Sequence, residues 1–309
     1  MAITGTGTQA DPFVVTTYSE LAQKITNPDS LSECYIKVGN DIDITEEYPF
    51  GDMPVLDFGN NVFLDGDGKT ITNWYYTGSG YSGVIKLYSK TSHPCQMKNL
   101  NLANIVLKSS EQYFLLISPA GNGTQTSNIL VENCTFVGIF FGTVLSIQWA
   151  NEATNMALRS CAFNVLLKAN TKFNRGIYAL PLESCNVRIV SEDPTGASLI
   201  NISSTSYPCP HNCYFDISIP NASTRSSQTI SNATYDNCVI KLRTPLGTTA
   251  SNKSKFGYSV SGYNVSILNT SDATGVEPND STQIKEVTDQ NWHDIAYLQS
   301  IGFSAGERT

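Results

Sequence analysis

ENCTF, residues 132–136, decides the fold, because the same frame returns as RSCAF at 159–163, ESCNV at 183–187, HNCYF at 211–215 and DNCVI at 236–240. In each copy a small polar residue precedes a cysteine, one residue intervenes, and an apolar residue follows. From Cys134 the steps to Cys161, Cys185, Cys213 and Cys238 are 27, 24, 28 and 25 residues. A period of roughly 20 to 50 residues marks a solenoid. Apolar and polar residues alternate at each anchor, which marks a strand, since an extended chain points successive side chains to opposite faces. The unit is therefore a β coil whose loops vary in length while its register holds.

The frame extends beyond the cysteines. KNLNL at 98–102 and YNVSI at 263–267 place Leu100 and Val265 in the same slot, behind Asn99 and Asn264, so the slot is apolar. Towards the N-terminus, NDIDI and KTITN place Ile42 and Ile71, and the steps from Ile42 to Ile71 to Leu100 are 29 and 29. Short apolar runs at 84–87, 114–117, 144–147, 177–180 and 198–202 give each coil at least two strands. The expectation is an all-β, right-handed parallel β-helix of about nine coils, about 40–45 Å long at ~4.8 Å per coil. Its cysteines read as a buried column, since free cysteine packs as a small hydrophobe. A column along the axis gives no tetrahedral closure around a metal. Cys209 and Cys213, with His211 between them, could hold a metal or a disulfide, but the core register already claims Cys213. Cys34 and Cys95 fall outside the pattern.

A solenoid must cover its open ends. Thr17 and Glu20 form a capping box at the start of a short helix with Tyr18, Leu21, Ala22 and Ile25 on one face. Near the other end Thr288 is an N-cap, Trp292, Ile295, Ala296 and Gln299 follow at helical spacing, and Gly302 is a stop. One domain over 1–309 is expected, with an N-terminal cap at about 12–30, coils at about 35–270 and a C-terminal cap or docking helix at about 285–303.

Charge and composition narrow the function classes. The 309 residues carry 19 Lys plus Arg and a formal net charge of -8, so a nucleic-acid backbone finds no basic stripe to bind. No run of about 18 apolar residues suggests membrane insertion. MAITGTGTQADPF lacks the basic start and apolar stretch of a secretory signal, which predicts synthesis in a cytoplasm without a cleaved leader. Eight cysteines in a chain of this kind do not predict a disulfide scaffold.

The candidate chemistry lies in the first coils. Asp41, Asp43, Asp57, Asp65 and Asp67 are the densest acidic set. Asp41 and Asp43 flank an inward Ile42 and so face outward, where Asp65 or Asp67 of the next coil could join them. Glycoside hydrolysis needs two carboxylates roughly 5 to 9 Å apart, and the same oxygens would suit a Ca²⁺ ion. The structural alternative is turn chemistry in Asp65-Gly66-Asp67-Gly68, where Asp and Gly accept positive φ. A second candidate is the loop NWYYTGSGYSG at 73–83. There Trp74, Tyr75, Tyr76 and Tyr81 could stack on sugar faces, make a subunit contact, or simply pack along a strand edge. His93, His211 and His293 stand in unrelated contexts, and the Asn-x-Ser/Thr strings at Asn201, Asn221, Asn232 and Asn269 are turn composition.

GTGTQADPFVVTTYSELAQKI at 5–25, YIKVGNDIDIT at 35–45, FLDGDGKTITN at 63–73 and VTDQNWHDIAYLQSIGF at 287–303 resemble segments of pectin-lyase-like β-helices of bacterial surface proteins and bacteriophage virion proteins. That superfamily includes polysaccharide lyases and hydrolases, adhesins, tailspikes and capsid-surface proteins, so the fold does not choose among them. Its hydrolase strings Asn-Thr-Asp, Asp-Asp, Gly-His-Gly and Arg-Ile-Lys do not occur here. The lyase pattern Arg-x-Pro-x-x-Arg is met only in part, at Arg243 of LRTPLG. Within that superfamily the lack of a secretory signal, the two caps without an attachment domain and the missing catalytic strings lead to the expectation of a non-enzymatic virion protein, a capsid-surface decoration or fibre, in contact with other virion proteins and with polysaccharide or mucin glycans. The resemblance also implies a homo-oligomer, commonly a trimer. No cofactor is expected other than Ca²⁺ at the aspartates. The alternatives are a tailspike-like lyase or hydrolase using the aspartates, and a bacterial adhesin module.

Overall fold

A computed structural model describes residues 3–26, 33–49, 53–58, 61–77, 83–89, 94–108, 113–119, 128–141, 143–147, 156–168, 177–178, 182–192, 200–201, 210–218, 224–225, 230–231, 234–236, 238–243, 249–250, 261–263, 265–269 and 284–286. Over them the chain is a parallel β-solenoid with one α-helix, α1 (Tyr18–Thr26). Three long sheets form its sides. Sheet A stacks seven strands from Phe13–Val15 to Leu182–Glu183, and sheet B has eleven, from Ile42–Asp43 to Ile284–Glu286. Sheet C stacks seven, from Leu56–Phe58 to Ile230–Ser231. Among the described residues, six successive coils between Cys34 and Asn201 place a strand in all three sheets. That is fewer than the nine coils expected from the anchors.

The stacked register corrects the expected frame. Ile42 pairs with Ile71, Ile71 with Leu102, Leu102 with Phe136, and the column continues through Phe163, Val187, Phe215, Ile240 and Ile267. Ile42 and Ile71 therefore share the column of Phe136, not that of Cys134. The slip has a local cause. Asp65 pairs with Lys98 and Thr70 with Asn101, so the corner takes two more residues in the second coil than in the third. The Asp-Gly turn supplies the extra length.

At five of the anchors the small polar residue before them forms the corner between sheets A and B. Asn99, Asn133, Ser160, Ser184 and Asn212 all have left-handed backbones, with φ between 52° and 55°. Asn adopts this region more readily than most residues because its short polar side chain bonds locally. Immediately after the corner, Cys134, Cys161, Cys185, Cys213 and Cys238 turn inward and are buried. Their thiols donate to main-chain carbonyls, as Cys185 does to Leu158 at 3.3 Å and Cys238 to Pro210 at 3.3 Å. Cys34 and Cys95 also belong to the core, opening two strands of sheet A and buried there.

Aromatic rings fill the interior of the early coils. Trp74 meets Tyr18 and Phe114 edge to face at 5.5 Å each, and Phe136 stacks on Phe163 at 4.8 Å. Helix α1 covers the N-terminal side of this core with buried Tyr18, Leu21, Ala22 and Ile25. Its start follows the expected cap with one change. Thr17 Oγ1 accepts from the Glu20 N–H at 3.3 Å, while the Glu20 carboxylate reaches back to the Thr16 N–H at 2.8 Å rather than to Thr17. At the other end Ile284–Glu286 is a strand paired with Val265–Ile267, just ahead of the expected N-cap Thr288; the rest of the expected cap at 285–303 lies outside the described residues.

Candidate functional site

Of the five aspartates singled out in the sequence, Asp43 and Asp65 each start a side-chain ladder, and Asp57 pairs with Lys86 at 3.7 Å. Asp43 Oδ1 accepts the Thr45 N–H at 2.9 Å, the Thr45 hydroxyl at 2.6 Å and the Asn73 side-chain amide at 2.8 Å. Asn73 then accepts from Asn104 of the following coil. Asp65 starts the second ladder. Its Oδ1 accepts from Asn99 Nδ2 at 3.0 Å and from the Asp67 N–H at 2.9 Å, and Asn133 donates to Asn99 at 3.3 Å. Asp41 takes the Thr70 N–H at 2.8 Å, and Asp67 pairs with Lys37 at 3.0 Å.

These bonds set the proton affinities. The Thr45 hydroxyl, then the Asn73 amide, hold Asp43 below the usual carboxylate range. For Asp65 partial burial pushes upward, but the donors Asn99 and Asp67 together with Lys98 outweigh it and the net direction is down. At least one oxygen of each already faces N–H, O–H or ammonium donors, which a cation bound there would have to displace. Among the described residues no group of three or more His, Cys, Asp or Glu could hold a metal ion.

The aromatic loop is divided. Trp74, expected on the surface as a sugar platform, is 1% exposed, and its indole N–H donates to the Ile71 carbonyl at 2.9 Å. Its bulk belongs to the core because Asn73, at φ 63°, turns the chain inward there. Tyr75 and Tyr76 are half-buried in a short strand beside Val106 and Leu107, and the Lys108 ammonium lies 4.9 Å from the Tyr75 ring. Tyr81 lies outside the described residues.

Another aromatic pair, half-buried, lies on the outer face of sheet A, where no sequence motif marked it. Tyr35 and Phe63 pair in register on adjacent strands, and their rings lie parallel with centroids 4.5 Å apart and planes 9° apart. Gln96 follows Phe63 in register, and a groove of about 340 Å³ runs along this row from Gln9 and Pro12 to Gln96 and Lys98. The alternation Tyr35, Lys37 and Phe63, Asp65 on successive strands was the signal: two residues apart on a strand share a face.

One edge of that groove is a column of alternating charge. The last outward residues of the sheet A strands pair as Lys37 with Asp65, Asp65 with Lys98, Lys98 with Glu132, Glu132 with Arg159, and Arg159 with Glu183. His211 follows Glu183 by an isolated bridge. Like charges stacked one strand apart repel, so alternation is the arrangement a parallel stack tolerates. Lys98–Asp65 at 3.4 Å and Arg159–Glu183 at 2.7 Å are formed, with side chains 35–46% exposed, so each contributes roughly 0–1 kcal/mol. The first letters of ENC, RSC, ESC and HNC already spelled this column.

No family model matches the chain, and no curated protein matches it in sequence. Among solved structures, the chain is similar to a candidate immunoglobulin A1 protease from Bacteroides ovatus. The identity is 13% and the TM-score 0.45, with 96% of this chain and 89% of that one covered.

Proposed function

We propose that the chain is a non-catalytic β-helix rod that serves at a surface, as a capsid-surface decoration or fibre-type protein of a bacteriophage virion. The observation that carries the non-catalytic part is the state of Asp43 and Asp65, each fixed by an asparagine of the next coil and each lowered in proton affinity. Glycoside hydrolysis needs one carboxylic acid whose pKa is raised so that it can deliver a proton near neutral pH. These two are shifted the other way. A rod with regular outward faces supports contact with other virion proteins and with polysaccharide or mucin glycans. The virion setting itself is supported by the resemblance of residues 5–73 and 287–303. Lateral association, as a trimer, accompanies that resemblance.

The test is incubation of the purified chain with a panel of bacterial and mucosal polysaccharides, reading reducing and unsaturated ends. No release is expected. Release that disappears in a folded Asp43→Asn/Asp65→Asn variant would overturn the reading in favour of a tailspike-like enzyme. Sedimentation equilibrium of the full chain reads the assembly, and an antiserum against it should label the outer surface of virions that carry it.

A further inference from the structure

We infer that the groove on the outer face of sheet A, at Tyr35, Phe63 and Gln96, is a binding site for neutral hexose oligosaccharides. The inference deepens the proposed surface role and rests on the rod being a binder rather than an enzyme. Three features of the site point to that ligand class. The first is the ring pair. Tyr35 covers one face of Phe63, and in register the other side of Phe63 adjoins Gln96, a flexible amide in place of a third ring. Half-buried rings beside a polar amide offer their remaining apolar surface to the C–H face of a pyranose while leaving its hydroxyls to polar neighbours.

The second feature is the charge balance. Lys98 lies 3.4 Å from Asp65 and Lys37 lies 3.0 Å from Asp67, so each ammonium is matched by a carboxylate. A paired ammonium and carboxylate offer a donor and an acceptor side by side, which serves adjacent hydroxyls of one sugar. The same pairing leaves no surplus positive charge for a polyanion. Thirdly, the size fits: about 340 Å³ falls within the roughly 300–1,000 Å³ of small-ligand sites. The groove follows the stacking direction of the strands, so a short linear oligosaccharide would lie along the rod.

The experiment is affinity electrophoresis of the full chain in gels containing dextran, glycogen or mannan, with hyaluronan as the charged comparator. At least one neutral polymer should retard the protein, and about 0.5 M NaCl should leave that retardation in place because no ion pair with the ligand is involved. Phe63→Ala should weaken it about tenfold, as expected for loss of one aromatic contact. Gln96→Ala should weaken it in a chain whose core is untouched, which keeps the test decisive should Phe63→Ala lower the melting temperature. No retardation by any of the three neutral polymers overturns the inference. So does retardation by hyaluronan alone that salt abolishes, or unchanged binding by both variants. Reducing ends are read on the same polymers: their release sinks the non-catalytic role and leaves the groove standing, whereas loss of retention without release sinks the groove alone.

Discussion

The side chain of Asn99 donates to Asp65 across one coil at 3.0 Å, while the backbone of Asn99 stands at φ 53°. The residue that bends the chain between sheets A and B thus also ties one coil to its neighbour. Asp65 is the acceptor for that tie, for the Asp67 N–H, and for the Lys98 ammonium. Asp65→Ala should destabilise the fold by about 1–3 kcal/mol, since it leaves part-buried donors unpaired. Asp65→Asn keeps an acceptor oxygen and should cost less. Urea unfolding of the two variants measures the difference, and equal losses would show that charge rather than hydrogen bonding matters at this position.

Acid should loosen the first coils through the same two aspartates. Both have folded-state proton affinities below their unfolded ones, so the stability they contribute is complete above the unfolded carboxylate range near pH 4 and is lost as pH falls through their lower folded values. The Asp43→Asn/Asp65→Asn variant should be less stable than the parent at pH 7, with a gap that narrows towards pH 2. Denaturant midpoints across that range provide the check, and a gap that widens on acidification would contradict the assigned direction.

Gly66 and Gly68 stand two residues apart for different reasons. A Cβ on Gly66 would lie 2.4 Å from the Asn99 carbonyl oxygen and 2.7 Å from Leu100 Cα, so backbone must move. At Gly68 a Cβ meets nothing within 4 Å, and only its φ of 74° resists a side chain. Gly68→Ala should cost about 1 kcal/mol, the usual penalty of a left-handed residue. Gly66→Ala should cost about 2–3 kcal/mol as a core overpacking change. Thermal melting of the pair ranks them, and the reverse order would show that conformation rather than space governs this turn.

The cysteine column should be chemically silent in the folded protein. Burial pushes the Cys95 thiol far up, burial raises Cys213, and hydrogen bonding with neighbouring thiols, then burial, raises Cys161; at Cys185 burial pushes upward but hydrogen bonds with Cys161 and Cys213 outweigh it and hold it low, so inaccessibility rather than proton affinity protects that thiol. Thiolate is the reactive form. A thiol reagent at pH 8 should therefore label Cys34, Cys95, Cys134, Cys161, Cys185, Cys213 and Cys238 only at the rate of unfolding, and all of them in urea. Peptide mass mapping reads each site, and prompt modification of Cys161 in the native chain would refute the buried column.

Much of this architecture was legible in the sequence because a solenoid repeats one local problem. The left-handed corner demands a small polar residue, the next position demands a buried one, and the pleat then alternates, so each coil writes the same five letters. Chain length between anchors was the weak point. Two additional residues at the Asp65–Gly68 turn moved Ile71 from the expected column to that of Phe136, and spacing alone could not show whether additional residues lay before or after the strand.

The candidate site was less legible. Asp43 and Asp65 were visible as outward acids, but their partners Asn73 and Asn99 lie 30 and 34 residues away, and only stacking brings them together. Trp74 looked like a surface ring among glycines and tyrosines, yet the positive φ of Asn73 turns it into the core. Tyr35 and Phe63 looked like ordinary strand residues until register set their rings 4.5 Å apart.

The sequence by itself determined the repeating coil, the apolar column, the polar corners and the helix that covers the first coil, because each depends on residues within a few positions of one another. Only the tertiary structure decided which coil positions stack, which aspartates are bound by asparagines, and which aromatic rings reach solvent. Those relations span about one coil of chain, whose length varies with the loops, and are fixed by hydrogen bonds between neighbouring strands rather than by local preference.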